Sequence, residues 1–178
     1  MTEATISVRT LTTMQAHDQS SVLAAILMDC VAGGASVSFM LPLEREKAET
    51  FWHGVADGIT GGERILLVAE DTATGVLVGT VQVVLAQPEN QPHRGDIAKM
   101  LVHRQARRRG IGALLMRAAE NAARAAGKSL LVLDTATGGD AERLYQRLGW
   151  IRVGMVPGFA LWPDGRPCAT TYYYKCLD

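Results

Sequence analysis

Cysteine, aromatic side chains and unbalanced charge are all scarce in this sequence, and each shortage closes off a class of function. There are three cysteines, Cys30, Cys168 and Cys176. An odd and widely spaced set makes neither a disulfide framework nor a zinc site, so reduced thiols in buried structural roles are expected. The four histidines, His17, His53, His93 and His103, show no HExxH or comparable ligand spacing, and no metal is expected. Lysine and arginine total 18 against 18 aspartates and glutamates. Such a balance offers no overall field to a polyanion, which argues against a nucleic-acid partner. No apolar run is long enough to span a bilayer. The opening segment MTEATISVRT lacks the basic-then-apolar order of a secretory signal, so a cytoplasmic protein acting away from membranes is expected.

What is present is a core-forming chain. Its 178 residues, 48% of them hydrophobic, are enough for one domain over residues 1–178. Thr5 to Leu11 alternates as a strand, followed by a helix carrying Val22, Leu23, Ile26, Leu27 and Cys30 and ended by Gly33-Gly34. Leu43 to Ile59 has apolar residues at helical spacing, stopped by Gly61-Gly62. Arg64 to Asp71 and Val76 to Ala86 read as neighbouring antiparallel strands joined by TATG. Arg94 to His103 is a third strand of that set. A long helix then begins near Gly110 and runs to Gly127. Ser129 to Thr135 is a short buried-type strand, Asp140 to Gly149 a helix closed by glycine, and Trp150 to Val156 and Thr170 to Leu177 two last strands. The order is β-α-α-β-β-β-α-β-α-β-β, with no internal repeat.

The densest chemical signal lies between the third strand and the long helix, where HRQARRRGIG places four arginines against two glycines. Glycines admit close backbone approach, and the first turn of a helix presents unpaired N–H groups to an anion. Guanidiniums add charge-assisted bonds. The stretch is therefore either a pyrophosphate cradle or a solvated basic turn. Two familiar nucleotide motifs do not fit. RAAGKS ends like a Walker A loop, but Ala122 replaces its first glycine and the order runs from helix to strand; Leu115 stands where a Rossmann loop needs its third glycine.

In this setting Arg107 to Gly112, RRRGIG, resembles the Arg/Gln-x-x-Gly-x-Gly/Ala signature of the GNAT superfamily of acyl-CoA-dependent N-acyltransferases. AKMLV before it, and LLVLDT and AERLYQRLGW after it, fall where that family has its donor-binding and catalytic elements. The resemblance implies a single α/β (α+β) domain: a mixed, mostly antiparallel twisted sheet with a central splayed parallel strand pair, flanked by about four helices. It implies acetyl-CoA as the donor, held by the backbones of Met100, Leu101 and Val102, by the amides of Arg108, Arg109, Gly110, Ile111, Gly112 and Ala113, and by the Arg107 side chain. A strand amide near Leu101 or Val102 polarises the thioester in this picture. Ala141 and Tyr145 fall on one face of the following helix. Gly138 stands where many members carry asparagine, so the donor contact usually made there is either absent or supplied by another residue, such as Thr137 or Asp140. Arg104 occupies a position that is often proline.

On the same resemblance Tyr145 is the acid that protonates the departing thiolate; read alone, it is an amphipathic core residue. A phenol with a pKa of about 10 suits a leaving group of similar basicity. The attacking amine must be neutral, so a group has to take its proton. Asp96 and Asp134, on the two strands flanking the expected cleft, are the candidates. Their structural alternatives are a strand-end charge and a loop cap. The segments GGASVSFMLP and PGFALWPDGRPCATTYYYK are similar to those of the tabtoxin-resistance type of acetyltransferase. By that likeness Ser36, Ser38, Phe39, Met40 and Trp162, with Tyr172 to Tyr174, line the acceptor site or else simply pack. The expected partner is a small-molecule amine bearing a carboxylate, and the protein a monomer or homodimer. A non-catalytic acyl-CoA sensor on the same fold is the competing expectation.

Overall fold

The computed structural model describes residues 6–177, so Thr5, the expected start of the first strand, lies outside the described residues. Strand β1 (Ile6–Thr10) leads into α1 (Thr13–Asp18), α2 (Ser20–Ala32) and α3 (Arg45–Thr60). Strands β2 (Arg64–Asp71), β3 (Val76–Val84) and β4 (Arg94–Val102) follow. After a single 3-10 turn at Arg104–Ala106 come α4 (Ile111–Ala125), β5 (Leu130–Ala136), α5 (Asp140–Arg147), β6 (Ile151–Leu161) and β7 (Pro167–Cys176). Among the described residues five helices form rather than about four. The additional one, α1, is set by a capping box in which the Thr12 hydroxyl accepts from the Gln15 amide and the Gln15 side chain accepts from the Thr12 amide.

The seven strands make one sheet in the order β1-β2-β3-β4-β5-β7-β6. Every neighbouring pair is antiparallel except β4 and β5, which are parallel. This is the mixed, mostly antiparallel α/β architecture expected, with its central parallel pair. Strand periodicity decides the layering: Leu66 and Val68 of β2 enter a core under α1, α2 and α3, whereas Leu67 and Ala69 enter a second core under α4 and α5. Leu23, Leu27, Trp52 and Val55 fill the first core, and Leu115, Met116, Leu131 and Tyr173 the second. Each such side chain contributes about 1.5–3 kcal/mol by leaving water. Of the apolar residues that α2 carries, Leu23, Ile26, Leu27 and Cys30 are buried, while Val22 faces solvent, 37% exposed.

The feature that positions the site is how briefly β4 and β5 pair. Register runs only from Arg94–Leu130 to Asp96–Val132. Beyond it β4 keeps β3 on its other edge and β5 keeps β7, so the two strands part. A β-bulge drives this: between the pairs Thr80–Leu101 and Gln82–Ala98, β4 carries one residue more than β3. An extra residue bends its strand. At the far edge β6 runs five residues past its expected end and exposes Val153, Met155 and Phe159. Among the described residues no helix is long and apolar enough to cross a membrane. Cys30 and Cys168 are buried as expected, but Cys176 is exposed.

Candidate active site

The parting of β4 and β5 opens a cavity of about 730 Å³, within the usual range for small-molecule sites. Residues 97–102 of β4 form one wall and residues 133–136 of β5 the opposite one. Tyr145, Ala141 and Leu144 of α5 close one side, and residues 33–38 of the α2–α3 loop, with Trp162, close the other. Past Asp96, the edge of β4 facing this space has no strand partner.

At one end lies the arginine loop. Arg108, with φ 67°, and Gly110, with φ 75°, both take the left-handed conformation. Such alternation turns successive N–H groups toward one side and makes an anion-binding concavity. Gly110 is the N-cap of α4 and makes no side-chain cap bond, so the Ile111 and Gly112 amides remain available, whereas the Ala113 amide already donates to the Gly110 carbonyl (3.1 Å). The four guanidiniums have separate fates. Arg104 is clamped to Asp29 at the end of α2 through its backbone N–H (2.8 Å) and Nε (2.9 Å), so it is not simply solvated. Arg107 donates through Nε to the Val102 carbonyl (3.2 Å) and lies against the Cys30 sulfur. Arg109 pairs with Asp71 (2.9 Å) and leaves the cavity wall. Arg108 lines the cavity and makes no side-chain hydrogen bond or ion pair among the described residues. Both Arg107 and Arg108 line the cavity, but the guanidinium free of a protein partner there is Arg108, a distinction that a run of three arginines at 107–109 conceals.

The clamp is electrostatically firm. Burial opposes the Asp29 charge, but hydrogen bonds from Arg104 and the charges of His103 and Arg104 outweigh it and hold the carboxyl below the ordinary carboxylate range. Gly112 is explained by packing: a Cβ there would meet Leu144 Cδ2 at 2.9 Å and Met100 Sδ at 3.7 Å. Its absence lets α4 start against both α5 and β4.

Tyr145 is 5% exposed, its ring against Trp150 and Tyr173. Burial, reinforced by the Asp134 charge, pushes its pKa well above the ordinary phenol range, so it stays protonated. Asp134 lines the cavity on β5, with one carboxylate oxygen accepting from the Thr170 hydroxyl at 3.3 Å. Asp96 is placed differently. It sits where β4 and β5 still pair, outside the cavity wall, and its carboxylate is taken by Arg94 and the Gln87 amide.

Other expected contacts divide in the same way. Ser36, Ser38 and Trp162 line the cavity, and the two segments expected to shape an acceptor pocket do meet: Ser36 Oγ donates to the Leu161 carbonyl (2.8 Å) and the Leu41 amide to that of Pro163 (3.0 Å). Phe39 instead turns into the first core, edge-on to Phe51, and Met40 is exposed outside the wall. Tyr173 is wholly buried and donates to Glu142, while Tyr172 and Tyr174 also lie off the wall. Thr137 is spent on the Thr171 hydroxyl (2.8 Å) and does not reach the cavity, and the Asp140 carboxylate pairs with Arg143. Two cations on the wall escaped the sequence reading, Lys99 on the bulge and Arg147 on α5.

Residues 39–150 match the model of the Acetyltransferase (GNAT) family. The chain belongs to the GNAT acetyltransferase family. A relative from Azospirillum brasilense, an uncharacterized N-acetyltransferase in the hisH-hisA intergenic region, is 34% identical over 137 residues, 75% of this chain and 76% of its own. An N-acetyltransferase of Staphylococcus aureus Mu50 superposes with a TM-score of 0.80 at 16% identity, covering 98% of this chain and 100% of its own. The yncA protein of Salmonella typhimurium, a putative acetyltransferase solved with its cofactor acetyl-CoA, does so with 0.80 at 18%, covering 98% and 95%. At these identities the two structures attest the GNAT fold, while family membership makes the protein an acetyltransferase.

Proposed function

We propose that this acetyltransferase uses acetyl-CoA and passes the acetyl group directly to the primary amine of a small molecule. The observation that carries the reading is the splayed β4–β5 pair, opening on one cavity with a left-handed basic loop at one end and Tyr145 and Asp134 on its walls. The residues fit the donor: a cavity of about 730 Å³, a free strand edge for an amide-bearing arm and cationic side chains for phosphates. Acetyl-CoA, when bound, supplies an activated acyl carbon and a thiolate leaving group.

The chain's own groups divide the remaining work. Amides from Arg108 to Gly112, with the Arg108 guanidinium, hold the pyrophosphate. The free edge of β4 at Met100, Leu101 and Val102 holds the arm, and an amide there polarises the thioester carbonyl. Asp134 takes the proton of the attacking amine, directly or through one water, since Asp96 is committed to Arg94. Tyr145, kept protonated by its surroundings, donates to the departing sulfur. The wall that raises its pKa raises the basicity of that sulfur too, which keeps donor and acceptor matched. Ser36, Ser38 and Trp162 border the acceptor end. The likeness of those segments to the tabtoxin-resistance type favours an amino-acid-like toxin or antibiotic acceptor, modified in the cytoplasm.

Tyr145→Phe tests the division. Coenzyme A affinity, read by calorimetry, is expected to hold while kcat falls about 100-fold. Undiminished kcat removes the acid role.

A further inference from the structure

The bulge in β4 places a lysine where glycine is the usual choice. Lys99 has φ 49°, a left-handed conformation that is strained for a residue with a Cβ. Its ammonium reaches the cavity wall, 3.1 Å from the Ser38 hydroxyl and 5.5 Å from the centre of the Phe51 ring. Ser38 is also left-handed, with φ 78°. Together with Arg108 these are the three non-glycine residues of positive φ among the described residues, and all three line this cavity. Strain of this kind is kept where the position of a side chain matters. Arg108 marks one end of the cavity; Lys99 and Ser38, bonded to each other, mark the other.

The charge at this second end is incomplete. Lys99 forms no salt bridge among the described residues. Burial drives its pKa below the ordinary amine range, against the pull of Asp134 across the splay, and Arg64 beneath adds to the lowering. A half-buried ammonium with a hydroxyl and an aromatic face, but no carboxylate in contact, is short of an anion. Asp134, on the opposite strand, has the opposite shortage.

We propose that Lys99 anchors a carboxylate of the acceptor while Asp134 faces its amine, so that the site selects amines that carry a carboxylate, free amino acids and their close analogues. The assignment rests on the N-acetyltransferase reading and adds to it a specificity-determining residue. A zwitterion lies along the pair with each of its charges beside the opposite one. A polyamine or a lysine-rich tail sets like charge against Lys99, and a neutral amine leaves Lys99 without its anion.

The test uses the full chain, acetyl-CoA and acceptors in matched pairs, each an amino acid and its carboxamide, compared at equal concentrations of neutral amine by release of free thiol. The wild type is expected to favour the acid at least about tenfold in kcat/KM. Lys99→Met should abolish the preference by raising KM for the acid, with a much smaller change in kcat and with coenzyme A affinity kept. Lys99→Arg, which restores the charge, should recover part of it. Equal use of acid and carboxamide by the wild type overturns the proposal without needing a variant, and so does a preference that survives in Lys99→Met. A fall in kcat at unchanged KM also overturns it, since that marks Lys99 as a base. Turnover of neutral amines alone leaves the transferase reading intact while this one fails. No turnover with any amine removes both.

Discussion

Gly110 and Gly112 stand two residues apart in the same motif and serve different ends. Gly110 is needed for its backbone, at φ 75° with open space around its Cα. Gly110→Ala should cost about 1 kcal/mol, read as a lower thermal midpoint. Gly112 is needed for proximity, but the atom a Cβ would meet is the mobile end of Leu144. Gly112→Ala should therefore be tolerated, whereas Gly112→Asp wedges a carboxylate against Met100 and Leu144 at the mouth of the anion site. Calorimetry should show coenzyme A affinity reduced at least about tenfold in the Asp variant and little changed in the Ala variant. The same reasoning separates the arginines. Arg108→Ala is expected to weaken coenzyme A binding and flatten its salt dependence, since that guanidinium has no partner among the described residues; Arg107→Ala acts by releasing the end of β4. Equal salt dependence in wild type and Arg108→Ala contradicts the assignment.

Between elements, two polar ties hold the site's frame. The Asp29–Arg104 clamp joins α2 to the arginine loop. The folded Asp29 pKa lies below its unfolded value of about 3.9. Its contribution is thus present above that value and is lost as pH falls through the folded pKa. Thermal melts across the acid range should show a shallower loss of stability for Asp29→Asn than for wild type. The second tie is buried: Glu120, 5% exposed, accepts from Lys175 Nζ (2.9 Å) and Trp150 Nε1 (3.0 Å), joining α4 to β7 and to the end of α5. Glu120→Ala leaves the Trp150 indole N–H without its acceptor and Lys175, still bonded to the Leu148 carbonyl, without its counter-charge, and should cost about 3 kcal/mol in denaturant unfolding. Neither tie could be read from sequence, because each joins residues far apart in the chain. The short α1 is a different case. Thr12 and Gln15 spell its capping box, but six residues are too few to show a helical period, so the signal was present and the periodicity that would have supported it was not.

Over the whole molecule, the working space comes from a fault in the sheet. Seven strands are continuous except where the bulge turns β4 away from β5, and that gap is the site. The order of strands and helices was legible because alternation and helical spacing are strong in β2, β3, α4 and α5, and the motif order located the cavity's ends. Side-chain direction was not legible. Asp96 and Asp134 look equivalent on flanking strands, yet one lies where the strands pair and the other where they have parted. Lys99 showed no signal at all, since nothing local announces a bulge in AKMLV. The account as a whole stands on acetyl transfer, and thiol release from acetyl-CoA with a panel of small primary amines, measured on the wild-type chain, tests it most directly. Amine-dependent release at a rate well above donor hydrolysis, and strongest for acceptors bearing a carboxylate, is the predicted result; tight coenzyme A binding with no amine-dependent release contradicts it.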